Sequence, residues 1–216
     1  LSYAVTQSTR GGGNDNDEVS QIDRAQIFQF AGYVKSAVDR MRVINSCADE
    51  DISAHADFWG HTNYQHTPTV SDDCKIYHPD GGAVSYQAPK EEWLDQNACP
   101  NGGLSFQKTW HLYYANVEGI SQSGAPDGTD LVLNLCCLKQ DVCMALNDEL
   151  GVTNDGSDAP QTNSAIYTNR FFVGTSSYAQ NTSISSNAPG FYGHQSACVK
   201  ELGDDTYNFY NVLIER

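Results

Sequence analysis

The residues able to do chemistry in this chain are seven cysteines, a scatter of histidines and several loops rich in side-chain oxygen. So many thiols suit an oxidising space better than the cytosol, where they would be kept reduced. Cys47 follows a long helical stretch and Cys74 opens a short strand, so a Cys47–Cys74 bridge would pin the helix end to the sheet. Cys143 on a short helix and Cys198 at the start of the last strand pair suit a second bridge. Cys99, Cys136 and Cys137 then remain, and a third bridge would join Cys99 to one of the vicinal pair. Adjacent residues of a strand face opposite sides, so at most one of Cys136 and Cys137 faces the core side. An odd total leaves at least one thiol free or shared between chains. Each native bridge is worth roughly 2–4 kcal/mol.

The other candidates are weaker. His55, His61 and His66 fit neither the i, i+4 spacing of a zinc helix nor the i, i+2 spacing of a hairpin, and read as surface histidines. Asp127 with Asp130, and Asp155 with Asp158, lie in loops whose hard oxygens could hold calcium, although none has EF-hand spacing and turn-forming Asx residues explain them as well. Calcium is therefore the one metal considered, and no other cofactor is expected. The run from Gly119 to Gly124 superficially resembles a nucleophile elbow but lacks Gly-x-Ser-x-Gly. There is no phosphate loop, HExxH or dinucleotide fingerprint. Asn181-Thr182-Ser183 matches a glycosylation acceptor, a pattern common by chance. The residues thus predict a chain that is not an enzyme, and no catalytic residue is assigned.

The element that must position all this is Asp17 to Ser46. Ile27, Phe30, Ala31, Val34, Val38 and Met41 recur at three- and four-residue steps, the period of one helical face. Asp17 and Glu18 suit the N-terminal end of the dipole and Arg40 and Arg42 the C-terminal end. At ~1.5 Å per residue the helix would run ~45 Å. After Cys47 come an irregular aromatic loop and a predicted hairpin, Cys74–Tyr77 with Ala83–Gln87, around a Pro79 and Gly81-Gly82 turn. Strands are predicted over Leu104–Val117, Thr129–Leu138, Ala165–Val173, Ser196–Glu201 and Thr206–Ile214. A short helix over Lys139–Leu150 is capped by Gly151. The fold class expected is α+β: a long N-terminal amphipathic helix packed on a mainly antiparallel sheet with long loops.

The 216 residues suffice for a single core. The net charge of −15 would be repelled by a phosphate backbone, so nucleic acid and anionic membrane surfaces are excluded as partners. Low charge with abundant Asn, Ser, Thr, Gly and Tyr again suggests export. Leu1 to Ser8 is apolar but far too short to span a bilayer, and Gly11-Gly12-Gly13 follows it as a hinge. Residues 1–13 read as the end of a membrane or assembly helix plus hinge, with Leu1, Tyr3 and Val5 as assembly residues; 14–216 reads as one globular domain.

An apolar N-terminal piece, a break, an amphipathic helix and an acidic, cysteine-bearing head resemble the layout of a type IV pilin or pseudopilin. More narrowly, Leu1 to Thr6 (LSYAVT), Cys74 with His78-Pro79-Asp80-Gly81-Gly82, Asp130 to Leu135, Val142-Cys143 and Tyr207 to Arg216 (YNFYNVLIER) resemble a group of uncharacterised alphaproteobacterial proteins with an N-terminal hydrophobic segment. The resemblance implies a pilin-like, non-catalytic cell-surface subunit, extracellular or periplasmic. It would self-associate or join pilus or secretion subunits through its N-terminal helix, with a membrane contact through a segment preceding Leu1. The head alone would stay monomeric. The alternative is a lectin- or adhesin-type binding module using the loops Asp57–Gln65 and Gly174–Tyr192; an exported hydrolase is the third reading.

Overall fold

The structure, a computed structural model, describes residues 15–54, 70–97, 109–120, 129–162, 183–185, 189–203 and 205–216. Helix α1 runs Asp15–Ile44, with Arg42 in its last turn. Its apolar face is sealed: Ile27, Val34, Val38 and Met41 are fully buried, and Phe30 and Ala31 nearly so. Ser46 stops it at φ 56°, and the Cys47 N–H donates back to the Met41 carbonyl at 3.2 Å. That left-handed stop satisfies an orphan carbonyl and reverses the chain, delivering Cys47 to Cys74, with which it forms a disulfide.

The strands are β1 (Trp110–Val117), β2 (Asp130–Leu138), β3 (Gln161–Thr162), β4 (Ser183–Ile184), β5 (Ser196–Glu201) and β6 (Thr206–Ile214), with helix α2 (Gln140–Leu150) between β2 and β3. They form one sheet in the order β3-β5-β6-β2-β1-β4. The inner pairs are antiparallel, but β3 joins β5 and β4 joins β1 in parallel. This corrects the fold class expected from the sequence. The sheet is mixed, barrel-like and nearly closed, rather than the pilin-like arrangement of a long helix on a mainly antiparallel sheet. The physical reason lies in the connections. A parallel neighbour cannot be reached by a tight turn and needs a crossover, and the long connections that bring β3 and β4 to the two edges permit one at each. Periodicity within each strand carries no trace of that.

Both faces of the sheet are buried. On one, Trp110, Leu112, Leu133, Leu135, Phe209 and Ile214 pack with the α1 stripe and with Leu146 of α2. Phe30 lies 4.8 Å from the Trp110 ring, which meets Phe209 edge-on. A second disulfide, Cys143–Cys198, ties α2 to β5 on that side, and α2 ends on Gly151 at φ 70°. On the other face Ala115, Val117, Val132, Val199 and Val212 form a separate core under Ile184 and Phe191. The predicted hairpin after Cys74 is not a pair of strands. Residues 75–84 fold as a bonded turn, with the Gly82 and Ala83 N–H groups donating to the Lys75 and His78 carbonyls at 2.9 Å. A Cβ on Gly82 would come within 2.3 Å of the Ile76 carbonyl oxygen, so only glycine lets the loop close that tightly. The predicted strand 165–173 and the loop 57–65 lie outside the described residues, as does most of the loop 174–192.

Truncating Phe30 removes the ring that joins α1 to Trp110 and Tyr86. Phe30→Ala is expected to cost roughly 3–5 kcal/mol in urea or guanidinium unfolding. A loss below about 1 kcal/mol, within the range of ordinary surface substitutions, would show that α1 does not close the first core.

Candidate functional site

Strand β2 is buried along its whole length, so any polar side chain on it must be satisfied from its neighbours. Two such residues, Asn134 and Cys136, are spaced to share a face. Asn134 pairs across the ladder with His111 of β1 and with Tyr210 of β6, while Cys136 pairs with Asn208. Glu201 stands at the far end of β5, opposite Thr206. The result is a polar half on the second face of the sheet, beside its valine-rich half. His111, Asn134, Cys136, Glu201 and Asn208 are all buried.

The centre of this cluster is a thiol and an imidazole. Cys136 Sγ lies 3.6 Å from His111 Nε2. Asn134 Nδ2 donates to both, at 3.0 Å each. The other ring nitrogen, Nδ1, faces the Thr109 carbonyl at 3.4 Å. A carbonyl only accepts, so the neutral ring carries its proton on Nδ1 and turns the Nε2 lone pair toward Asn134 and Cys136. Cys136 is the free cysteine among the described residues. Its neighbour Cys137 is disulfide-bonded and sits at φ 65°, where the β2–β6 register slips. That bulge is closed from outside: the Asp95 N–H donates to the Cys137 carbonyl at 2.8 Å and the Lys139 N–H to the Trp93 carbonyl at 2.9 Å. Both vicinal cysteines are buried, as are all residues of this strand, because both of its faces are covered.

A nucleophile, a base and an orienting amide are the parts of thiol-dependent acyl transfer, but their ionisation opposes it. Burial, reinforced by the Glu201 carboxylate, pushes the Cys136 thiol well above its ordinary range, and the Asn134 N–H only partly offsets this. Burial holds the His111 imidazole down at about 4, with the Thr109 carbonyl pulling slightly the other way. Moving the thiol proton to Nε2 would run against both displacements, so the pair is held as neutral thiol and neutral imidazole. Burial also raises the Tyr113 hydroxyl on the same face. Tyr113 Oη, Asn134 Oδ1 and Asn208 Oδ1 have no hydrogen-bond partner among the described residues.

The residues singled out from the sequence lie elsewhere. Asp130 is buried on β2, its carboxylate accepting the Arg216 N–H at 3.0 Å and the Val117 N–H at 3.4 Å. Asp155 and Asp158 close one turn through their own backbones. The Asp158 carboxylate is taken by Lys200 at 2.9 Å and the Tyr207 hydroxyl at 2.8 Å. Those contacts, against a desolvation that works the other way, hold it below the ordinary carboxylate value. Asp127, Cys99, Leu1, Tyr3 and Val5 fall outside the described residues, as do His55, His61 and His66. Among the described residues no three His, Cys, Asp or Glu side chains are placed to hold a metal ion. Nothing within the predicted strand Leu104–Val117 marks out His111. The available signal was Asn134 and Cys136 two residues apart in an otherwise apolar strand.

No protein family, curated protein or solved structure matches this chain.

The His111 displacement has a stability consequence. Its folded value is about 4 against about 6.5 unfolded, so the unfolded chain binds the extra proton in between. Stability from this group is complete above pH 6.5 and declines as pH falls toward 4, by roughly 3 kcal/mol in all. His111→Gln, neutral throughout, should flatten that limb in unfolding measured from pH 7 to pH 4. An unchanged limb would mean that the imidazole is not held neutral.

Proposed function

We propose that this chain is a non-catalytic structural subunit, exported to the bacterial cell surface or periplasm, which works by taking its place in an assembly. The distribution of exposed apolar surface carries this reading. Six large hydrophobic side chains are exposed among the described residues, and four of them (Ile22, Tyr33, Val43 and Ile44) are on α1. Helix α1 therefore buries one stripe in its own core and offers a second outward. Apolar groups displayed on a convex helix suit contact with another protein, whereas small-molecule sites gather them in a concavity.

Two further observations support the reading. The disulfides Cys47–Cys74 and Cys143–Cys198 fit an oxidising compartment, and they brace the end of α1 and the α2–β5 contact. The thiol and imidazole that could have formed a nucleophile are sealed and uncharged, so within this fold they act as buried polar packing.

The test has two arms. The product of the complete gene, expressed in its own host, should fractionate with the cell envelope or with sheared surface material. In the purified protein Cys136 should resist maleimide until denaturant is added. A freely secreted monomer whose Cys136 is labelled in the native state, with turnover of an activated ester lost in Cys136→Ser, would overturn the proposal in favour of a thiol hydrolase.

A further inference from the structure

We propose that Asp155 is a site of spontaneous backbone modification: in the folded protein the Asp155–Gly156 step isomerises to isoaspartate, while the Asp80–Gly81 step is held against it. The proposal is independent of the subunit reading above. An aspartate can close on the backbone nitrogen of the next residue, and glycine in that place adds no side chain to hinder the ring. Asp80 and Asp155 are the aspartates that precede glycine among the described residues, and the fold treats them oppositely. The reaction begins when the Gly156 nitrogen attacks Cγ of the protonated Asp155 carboxyl. An N–Cγ bond forms, the Cγ–OH bond breaks, and the hydroxyl leaves as water with the proton of the Gly156 N–H. Water then opens the resulting succinimide at one of its two carbonyls. Cleavage at Cγ restores aspartate. Cleavage at the α-carbonyl leaves the chain running through Cβ and Cγ, with the α-carboxylate as a side branch. One water is lost and one regained, so mass and charge are unchanged.

Such closure needs a backbone nitrogen that is not donating and a peptide unit with room to rotate until nitrogen and carboxyl meet. Asp155, Gly156 and Ser157 are all exposed. Asp155 and Asp158 exchange backbone hydrogen bonds at 2.8 and 3.1 Å, and Gly156 takes φ 64° while Ser157 does not turn positive. That is a type II′ turn with glycine at its first central position. Within it the Gly156 N–H and the Asp155 carboxylate have no partner among the described residues. A Cβ on Gly156 would meet nothing within 4 Å, so the peptide unit has space to turn.

At Asp80 the same dipeptide is closed. Exposure does not separate the two, because the Asp80 side chain is itself 79% exposed. The difference lies in the glycine. The Gly81 N–H donates to the His78 carbonyl at 3.1 Å, and the Asp80 N–H donates to His78 Nδ1 at 3.3 Å. Gly81 is buried, and a Cβ there would come within 2.3 Å of the Lys75 carbonyl oxygen and 2.7 Å of that of Asp72. Rotating that peptide unit requires the turn over residues 75–84 to open first. The Asp155 turn also has something to lose. Isoaspartate inserts a methylene into its main chain and moves the carbonyl that accepts the Asp158 N–H onto a branch. The Asp158 carboxylate holds Lys200 and Tyr207, and Gln140 Nε2 donates to the Ser157 carbonyl at 2.9 Å. A longer turn therefore loosens contacts to α2, β5 and β6 together.

The experiment ages the folded full chain in mildly acidic buffer and maps its proteolytic peptides, so that each site is read by itself. Isoaspartate is scored by enzymatic methyl esterification and by a change of elution without a change of mass. It should accumulate at Asp155 roughly tenfold or more faster than at Asp80, the factor set by the hydrogen bond and packing that must be released there. In the reduced, denatured chain the two steps should convert at similar rates. Asp155→Glu should abolish the signal at that position, because the larger ring closes far more slowly. Asp155→Asn should convert faster, losing ammonia in place of water. Absence of isoaspartate at Asp155 in the aged protein would overturn the proposal, and so would an Asp155 to Asp80 ratio that unfolding leaves unchanged.

Discussion

The constraint on which the rest depends is the burial of β2 on both faces. A strand in the middle of a nearly closed mixed sheet sends alternate side chains into two separate cores, so each residue must suit the side to which its parity assigns it. Leu131, Leu133 and Leu135 go to the α1 side with Trp110 and Phe209. Val132 goes to the other with Val212 and Phe191. A slip of one position would move Asn134 and Cys136 into the leucine layer and the leucines into the polar cluster. Register is thus set from both sides at once, and the neighbours β1 and β6 inherit it through their ladders.

Polar residues in such a strand are costly unless partnered, and this chain holds them in two ways. Asp130 is spent on backbone N–H groups of Val117 and Arg216, which fasten the end of β6 to β1 and β2. Asn134 is spent on His111 and Cys136. The first arrangement is closed bookkeeping for a carboxylate. The second leaves three buried polar atoms without a partner among the described residues, and its ionisable members stay neutral.

Much of the local structure was legible in the sequence. The three- and four-residue steps of Ile27, Phe30, Val34, Val38 and Met41 define the buried face of α1, and Gly151 marks the end of α2, because both depend on neighbours within a few turns. The bridges join α1 to Cys74 and α2 to β5, a placement readable from where cysteines fall relative to those elements. What was not legible depends on distant partners. The parallel edges need the path of long connections, which no local pattern encodes. The His111 cluster needs the β1–β2 register, which aligns His111 with Asn134 only once both strands are paired. The outward line of α1 was masked by the inward one, since a helix read for its core is seldom read for its second stripe. Of the residues weighed for calcium, Asp155 and Asp158 close a turn through their own backbones and Asp130 is buried in β2, accepting backbone N–H groups.

The free thiol of Cys136 beside the bonded Cys137 carries a consequence for how this protein is made. A chain folding in an oxidising compartment meets oxidants before its sheet exists, and for that interval Cys136 competes with the six other cysteines on equal terms. Thiol–disulfide exchange takes seconds to hours, while strand pairing and collapse are far faster. The closing of β1 and β6 over β2 therefore acts as a kinetic shield, removing one sulfur from the reaction before partners are chosen. A substitution that slows sheet closure without weakening the finished fold would then show itself as mispaired, isomerase-dependent material rather than as a lower melting temperature. For this chain the speed of assembly, as well as its depth, decides which covalent isomer survives.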